Sequence, residues 1–127
     1  MNRQKGSGTR FSLDYFLSLA GIEPAAVNGY DHEEWTHLAA ASYISNGLAD
    51  AAFGIRSAAE QLNLDFIPIR SEPFDLVFRW KPENTLLLEQ LIDIIQSQDF
   101  KNTVTNLSGY DVSELGKIIY QFKNEGE

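Results

Sequence analysis

The sequence predicts an α/β fold. Apolar residues switch along the chain between helical spacing and short strand-like runs, glycine or proline stands at most of the switches, and 43% of the 127 residues are hydrophobic. With 12% aromatic residues, the chain has apolar material for a core and too much of it for an intrinsically disordered polypeptide. Its length is that of one domain.

The elements follow in order. A short extended N-terminal piece leads into a helix whose apolar face is Phe11, Leu13, Phe16, Leu17 and Ala20, with Gly21 to end it. Asp31 is expected to cap a second helix, Glu34 completing a capping box and Gly47 stopping it, with Trp35, Leu38, Ala39, Ser42 and Tyr43 as its buried stripe. Residues 48–55 are small and apolar and read as a buried strand, followed by a short helix capped by Ser57. Residues 66–69 and 74–80 read as two more strands, Pro68 confining the first to an edge. Asn84 is expected to cap a helix presenting Leu87, Leu88, Leu91, Ile92, Ile94 and Ile95, and Asp99 to start another that ends at Gly109. Residues 123–127 carry no core signal and are expected to be disordered. There is no internal repeat and no low-complexity segment.

Ten Lys and Arg against 18 Asp and Glu give a net charge of −8. That argues against a nucleic-acid binder, which needs a basic face, and against adhesion to anionic membranes. No apolar run reaches the roughly 18 residues of a membrane helix, and no apolar stretch precedes Phe11 as a secretion signal would require. With no cysteine there is no disulfide, no Cys-ligated metal and no thiol nucleophile. The expected location is the cytoplasm.

The sharpest local feature is Gly6-Ser7-Gly8-Thr9-Arg10, between an extended segment and a helix. Glycines let backbone approach a ligand, first-turn amides lack intrahelical acceptors, and the helix dipole places partial positive charge there. The Ser7 and Thr9 hydroxyls and the Arg10 fork add donors for an oxyanion. An ordinary capped turn is the competing reading. The segment lacks the Gly-Lys-Ser/Thr close of a Walker loop, and Phe11 stands where a dinucleotide loop needs its third glycine. His32 and His37 are five apart, so they diverge by about 140° on a helix and do not form a zinc-protease pair. His37 reads either as a packed, hydrogen-bonded histidine or as a ligand contact. Arg56, in Gly54-Ile55-Arg56 between a strand and a helix, either reaches the same anion or bonds a helix end. Asp50 could cap, bond backbone or orient Arg56. No catalytic triad has supporting context, so no catalytic residue and no cofactor is expected.

Taken in order, residues 2–10 (NRQKGSGTR), Thr36-His37-Leu38-Ala39, Gly47-Leu48-Ala49-Asp50 with Gly54-Ile55-Arg56, Leu64 to Pro68 and Gly109-Tyr110-Asp111 resemble the periplasmic-binding-protein-like domain family. This is the domain attached to molybdopterin molybdenumtransferases and to molybdate-linked winged-helix regulators. The resemblance implies a type II periplasmic-binding fold, related to LysR-type effector domains and to molybdate or tungstate receptors, with ligand in a cleft between two α/β lobes. It places the Gly-Ser-Gly-Thr segment at the oxyanion and makes Thr36, His37 and Arg56, then Tyr110, further cleft candidates. Set against that family, the sequence is expected to lack the N-terminal part of the usual domain. Residues 1–127 are therefore expected to be one truncated domain, holding the second lobe up to residues 48–55 and part of the first from Phe74 onward. Elements deprived of partners imply a homo-oligomer or pairing with a separately encoded first lobe. The expected function is non-enzymatic binding of a small oxyanion, molybdate or tungstate first and a phosphorylated or carboxylated metabolite next. The alternatives are a structural or interaction remnant, or an accessory module of molybdenum-cofactor biosynthesis.

Overall fold

The structure, a computed structural model, describes residues 1–121, so the expectation for 123–127 lies outside the described residues. The chain divides into two compact units, one of residues 1–69 and one from Arg70 onward.

In the first unit, β1 (Asn2–Arg3) leads through a turn into α1 (Gly8–Leu19). The chain returns past a single 3-10 turn at Pro24–Ala26 to β2 (Glu33–Glu34), and α2 (His37–Ser45) and α3 (Arg56–Gln61) follow. β1 and β2 are parallel, Asn2 opposite Glu33 and Arg3 opposite Glu34. The Asn2 amide donates to the His32 carbonyl at 2.9 Å and the Gln4 amide to the Glu34 carbonyl at 3.2 Å. Parallel strands require a crossover, and α1 lies within it. Consequently α1 and α2 both start just beyond the carboxyl ends of neighbouring strands.

Local chemistry sets where the helices start and stop. The Ser7 hydroxyl accepts from the Arg10 amide at 3.1 Å, so α1 begins ahead of its apolar stripe. All three helices end in the same Schellman arrangement: the amides of Ile22, Leu48 and Leu64 donate to the carbonyls of Leu17, Tyr43 and Ala59 at 2.8–2.9 Å. The residue before each donor, Gly21, Gly47 or Asn63, is left-handed. The stops expected at Gly21 and Gly47 are found. α2 packs on α3, and the buried residues of the two helices are Ala40, Ala41, Ala58 and Ala59.

Several expected elements differ. The helix expected from Asp31 starts at His37, because residues 33–34 are sheet and Thr36 is the cap, its hydroxyl accepting from the Ala39 amide at 3.0 Å. Two sheet hydrogen bonds, at about 0.5–1.5 kcal/mol each, outweigh a cap at Asp31 worth about 1 kcal/mol, and Thr36 supplies a cap in any case. Trp35 accordingly precedes α2 and is 76% exposed, not part of a buried stripe. Residues 48–55 form no strand; the N-terminal ammonium of Met1, just ahead of β1, donates to the Ala51 carbonyl at 3.3 Å. Ile55 rather than Ser57 occupies the cap position of α3, without a side-chain bond.

In the second unit, residues 70–81 are irregular and exposed, a 3-10 turn covers Pro82–Asn84, and α4 (Thr85–Gln96) and α5 (Gln98–Thr105) pack on one another. Neither 66–69, at the end of the first unit, nor 74–80 is a strand, because among the described residues no segment pairs with either and a strand exists only through its ladder. Asn84 precedes α4 but does not cap it. Its side chain accepts from the Lys81 amide (2.9 Å) and donates to the Arg79 carbonyl (3.0 Å), holding the preceding turn. Ser97, not Asp99, caps α5 by accepting from the Phe100 amide, and α5 ends at Thr105, short of Gly109. Among the described residues of this unit none is buried.

Thr36→Ala is expected to destabilise the protein by about 1 kcal/mol, and Asp31→Ala, with no capping box to lose, to leave stability within about 0.5 kcal/mol. Urea unfolding followed by circular dichroism checks both.

Candidate functional site

The turn between β1 and α1 is shaped by two residues. Gly6 sits at φ +88°, a conformation open to glycine and strained for side-chain-bearing residues. The Ser7 amide closes the turn on the Gln4 carbonyl at 3.2 Å. The amides of Gly6, Gly8 and Thr9 then have no acceptor among the described residues. Those of Gly8 and Thr9 are first-turn donors at the positive end of α1. The turn borders an open cleft of ≈ 650 Å³, lined by Lys5, Gly6, Ser7, Gly8, Arg10, Phe11, Asp14, Tyr30 and Asp31. Lys5 brings a cation to this rim and Asp31 an anion, neither in an ion pair among the described residues. Phe11 adds an aromatic ring that is 74% exposed.

Arg10 is a framework residue and not the open ligand fork expected from the sequence. It is 5% exposed. Its Nη1 donates to Glu33 Oε1 (2.9 Å) and to the Arg3 carbonyl (3.2 Å), while its Nε lies 3.3 Å from Asp14 Oδ1 and from the Tyr30 hydroxyl. The guanidinium also lies over the Tyr30 ring, 4.0 Å from its centroid, and the Tyr30 hydroxyl donates to Asp14. Burial alone would lower the Arg10 pKa, but Tyr30, Asp14 and Glu33 outweigh it and hold the pKa above the ordinary arginine value.

At the start of α2, the Thr36 hydroxyl is engaged as a cap. Arg3, 6% exposed, donates from Nε to the Glu34 carbonyl (3.1 Å) and from Nη2 to the Trp35 carbonyl (2.8 Å). Its Nη1 and His37 Nδ1 are buried without hydrogen-bond partners among the described residues. Burial, and secondarily the Arg3 charge, lower the His37 pKa below its ordinary value. Gly54 flanks this histidine, since a Cβ there would stand 3.8 Å from His37 Nδ1.

Arg56 is exposed and lies over the Phe66 ring, 5.6 Å from its centroid, away from the lining of the cleft. Tyr110 belongs to the second unit. Of the residues expected to meet a ligand, Gly6, Ser7, Gly8 and Arg10 line one cleft, with Thr9 next to them in the first turn. Lys5, Phe11, Asp14, Tyr30 and Asp31 were not foreseen there. Lys5 was legible by its adjacency to the glycines. Tyr30 and Asp14 meet only through tertiary packing and leave no sequence signal. Among the described residues no group of three His, Asp or Glu side chains could hold a metal ion, and no helix is long and apolar enough to cross a membrane.

Two adjacent parallel strands, each followed by a helix whose N-terminus lies beyond the strand's carboxyl end, form the arrangement in which open α/β folds hold small ligands. The PBP superfamily domain (PBP_like) matches residues 1–96, and the chain belongs to that family. The uncharacterized protein YvgK of Bacillus subtilis (strain 168) is 42% identical over 121 residues, 95% of this chain and 39% of YvgK. The chain therefore spans well under half the length of that relative. An uncharacterized Clostridium pasteurianum protein from the 5′ region of the 2Fe-2S ferredoxin gene is 42% identical over 108 residues, 84% of this chain and 96% of the relative. No solved structure matches the chain.

Burial in the fold disfavours the charged form of His37, whereas the unfolded chain takes up its proton at the ordinary pKa. Stability from this residue is thus present above about pH 6.5 and is lost as pH falls through the lowered folded value. Thermal melts at pH 7.5 and 5.5 are expected to show a larger drop for the native chain than for His37→Gln. An equal drop in both would contradict the assignment.

Proposed function

We propose that this chain binds a small anionic ligand without turning it over, its oxyanion group seated at the start of α1. The observation that carries this reading is the trio of unengaged amides at Gly6, Gly8 and Thr9, two of them at a helix N-terminus on the cleft rim beside Lys5. Such amides act on an oxyanion as charge-assisted donors, about twice as strong as neutral ones. The Ser7 and Thr9 hydroxyls and the Lys5 ammonium are the side-chain donors of the site, and Arg10 holds the cleft wall. Membership of a ligand-binding superfamily supports the general class. Molybdate and tungstate are the first candidates.

A second ligand class is favoured by the size and mixed chemistry of the cleft. Its ≈ 650 Å³ lies within the 300–1,000 Å³ of organic-ligand pockets. Phe11 and Asp31 offer an apolar surface and an acceptor that a bare tetrahedral oxyanion does not need. A carboxylated or phosphorylated metabolite carrying a hydrogen-bond donor would use both.

Calorimetry and thermal shift with molybdate, tungstate, sulfate and phosphate test the site, together with Gly8→Pro. Gly8 is the first helical residue, φ there is not positive, nothing lies within 4 Å of the place a Cβ would take, and Ser7 before it is extended (ψ 144°). Proline is well tolerated at such a position and removes only the amide donor. At least one anion is expected to raise the melting temperature, and Gly8→Pro to weaken its binding by roughly tenfold or more, the loss of one charged hydrogen bond of about 1.5–3 kcal/mol. If no anion stabilises the chain at millimolar concentration, or the variant binds equally well, the reading fails and a structural remnant is left.

A further inference from the structure

Residues 74–80, Phe-Asp-Leu-Val-Phe-Arg-Trp, have strand chemistry and no strand partner among the described residues. Phe74 is 99% and Val77 90% exposed. The rings of Phe78 and Trp80 lie 5.9 Å apart, so positions two apart share a side, as in extended chain. From 74 to 80 the backbone makes a single hydrogen bond to the described residues, the Arg79 carbonyl accepting from Asn84 Nδ2. Among the described residues the rest of both edges is open, a ready template for strand addition.

We propose that this segment pairs with the same segment of a second copy of the chain, antiparallel and centred on Val77. The side chains choose that occupant. Around a two-fold axis at Val77, Asp75 faces Arg79 of the second copy, Arg79 faces its Asp75, Phe74 faces Trp80 and Leu76 faces Phe78. Neither Asp75 nor Arg79 has an ion pair among the described residues, and both charges are matched by self-pairing. Opposite charges and aromatic pairs directly across a ladder are stabilising. The Asn84 bond at the Arg79 carbonyl occupies the odd-numbered edge and leaves the amides and carbonyls of Leu76 and Phe78 for the ladder. Val77 then meets its counterpart at a non-hydrogen-bonded position, where side chains approach most closely. The pairs Phe74–Trp80 and Leu76–Phe78 lie on one face of the two-stranded ribbon and cover part of one another's exposed apolar surface. A two-fold pairing of this kind closes on itself, and Pro73, lacking an amide donor, bounds the segment.

Light scattering on the full chain at micromolar concentration, combined with charge reversal, tests the pairing. The native chain is expected at twice the chain mass. Asp75→Arg and Arg79→Asp each set like charges opposite one another and are expected to raise the dimer dissociation constant at least tenfold. The double exchange Asp75→Arg with Arg79→Asp is expected to restore it, which a misfolded variant would not do. Since the chain has no cysteine, Val77→Cys is expected to form a disulfide-linked dimer on mild oxidation and Ser71→Cys to remain monomeric in denaturing gels. A monomeric native chain, single reversals without effect, or a double exchange that stays monomeric would overturn the pairing. The first of these would leave the segment to a different protein.

Discussion

The first unit is organised around the buried guanidinium of Arg10. Arg10 stands on α1, yet its guanidinium reaches Glu33 on β2, the Arg3 carbonyl on β1, Asp14 one turn further along its own helix, and the face of Tyr30. Burying an unpaired arginine would cost several kcal/mol, so helix, strand pair and return loop must all be in place for the charge to be tolerated. Asp14 and Glu33 keep 43% and 29% of their side-chain surface in water. The ion pairs are therefore partly screened, and their net contribution is well below the cost of removing one partner. The arginine fixes an arrangement more than it adds stability.

That arrangement has a chemical consequence at the cleft. Because Arg10 is drawn inward and Ser7 caps the helix, the turn between them is pinned at both sides, and the amides of Gly8 and Thr9 are left without competition from neighbouring carbonyls. Donors fixed before a ligand arrives lose little freedom on binding. The second unit has the opposite character: among its described residues none is buried, and Leu87, Ile94, Val77 and Phe74 remain open to solvent. A domain of this size without a core is marginal by itself, which gives the apolar segment at 74–80 its significance.

Much of the helical content was legible because it depends on neighbours in sequence. Ser7 before α1, Gly21 and Gly47 after α1 and α2, and the apolar run that became α4 are all local signals. The misreadings share a cause of the opposite kind. Whether Asp31 caps a helix or the residues after it join a sheet was decided by Asn2 and Gln4, some thirty residues upstream. Residues 48–55, 66–69 and 74–80 have strand composition, but composition cannot supply a ladder. At the cleft, the glycine-rich turn was readable from backbone chemistry alone. The direction of Arg10 was not, because an arginine beside a phosphate-like loop serves a ligand or the framework according to where Glu33 and Tyr30 stand.

Free peptide amides at the start of α1 are the groups on which anion binding depends. Backbone amide spectra of nitrogen-15-labelled protein, recorded through a titration with tungstate, read those groups one by one. The largest saturable shifts are predicted at Gly6, Gly8 and Thr9, with little change at Arg56 or Tyr110. Shifts centred on another part of the chain, or no saturable shift at all, would contradict the proposed site.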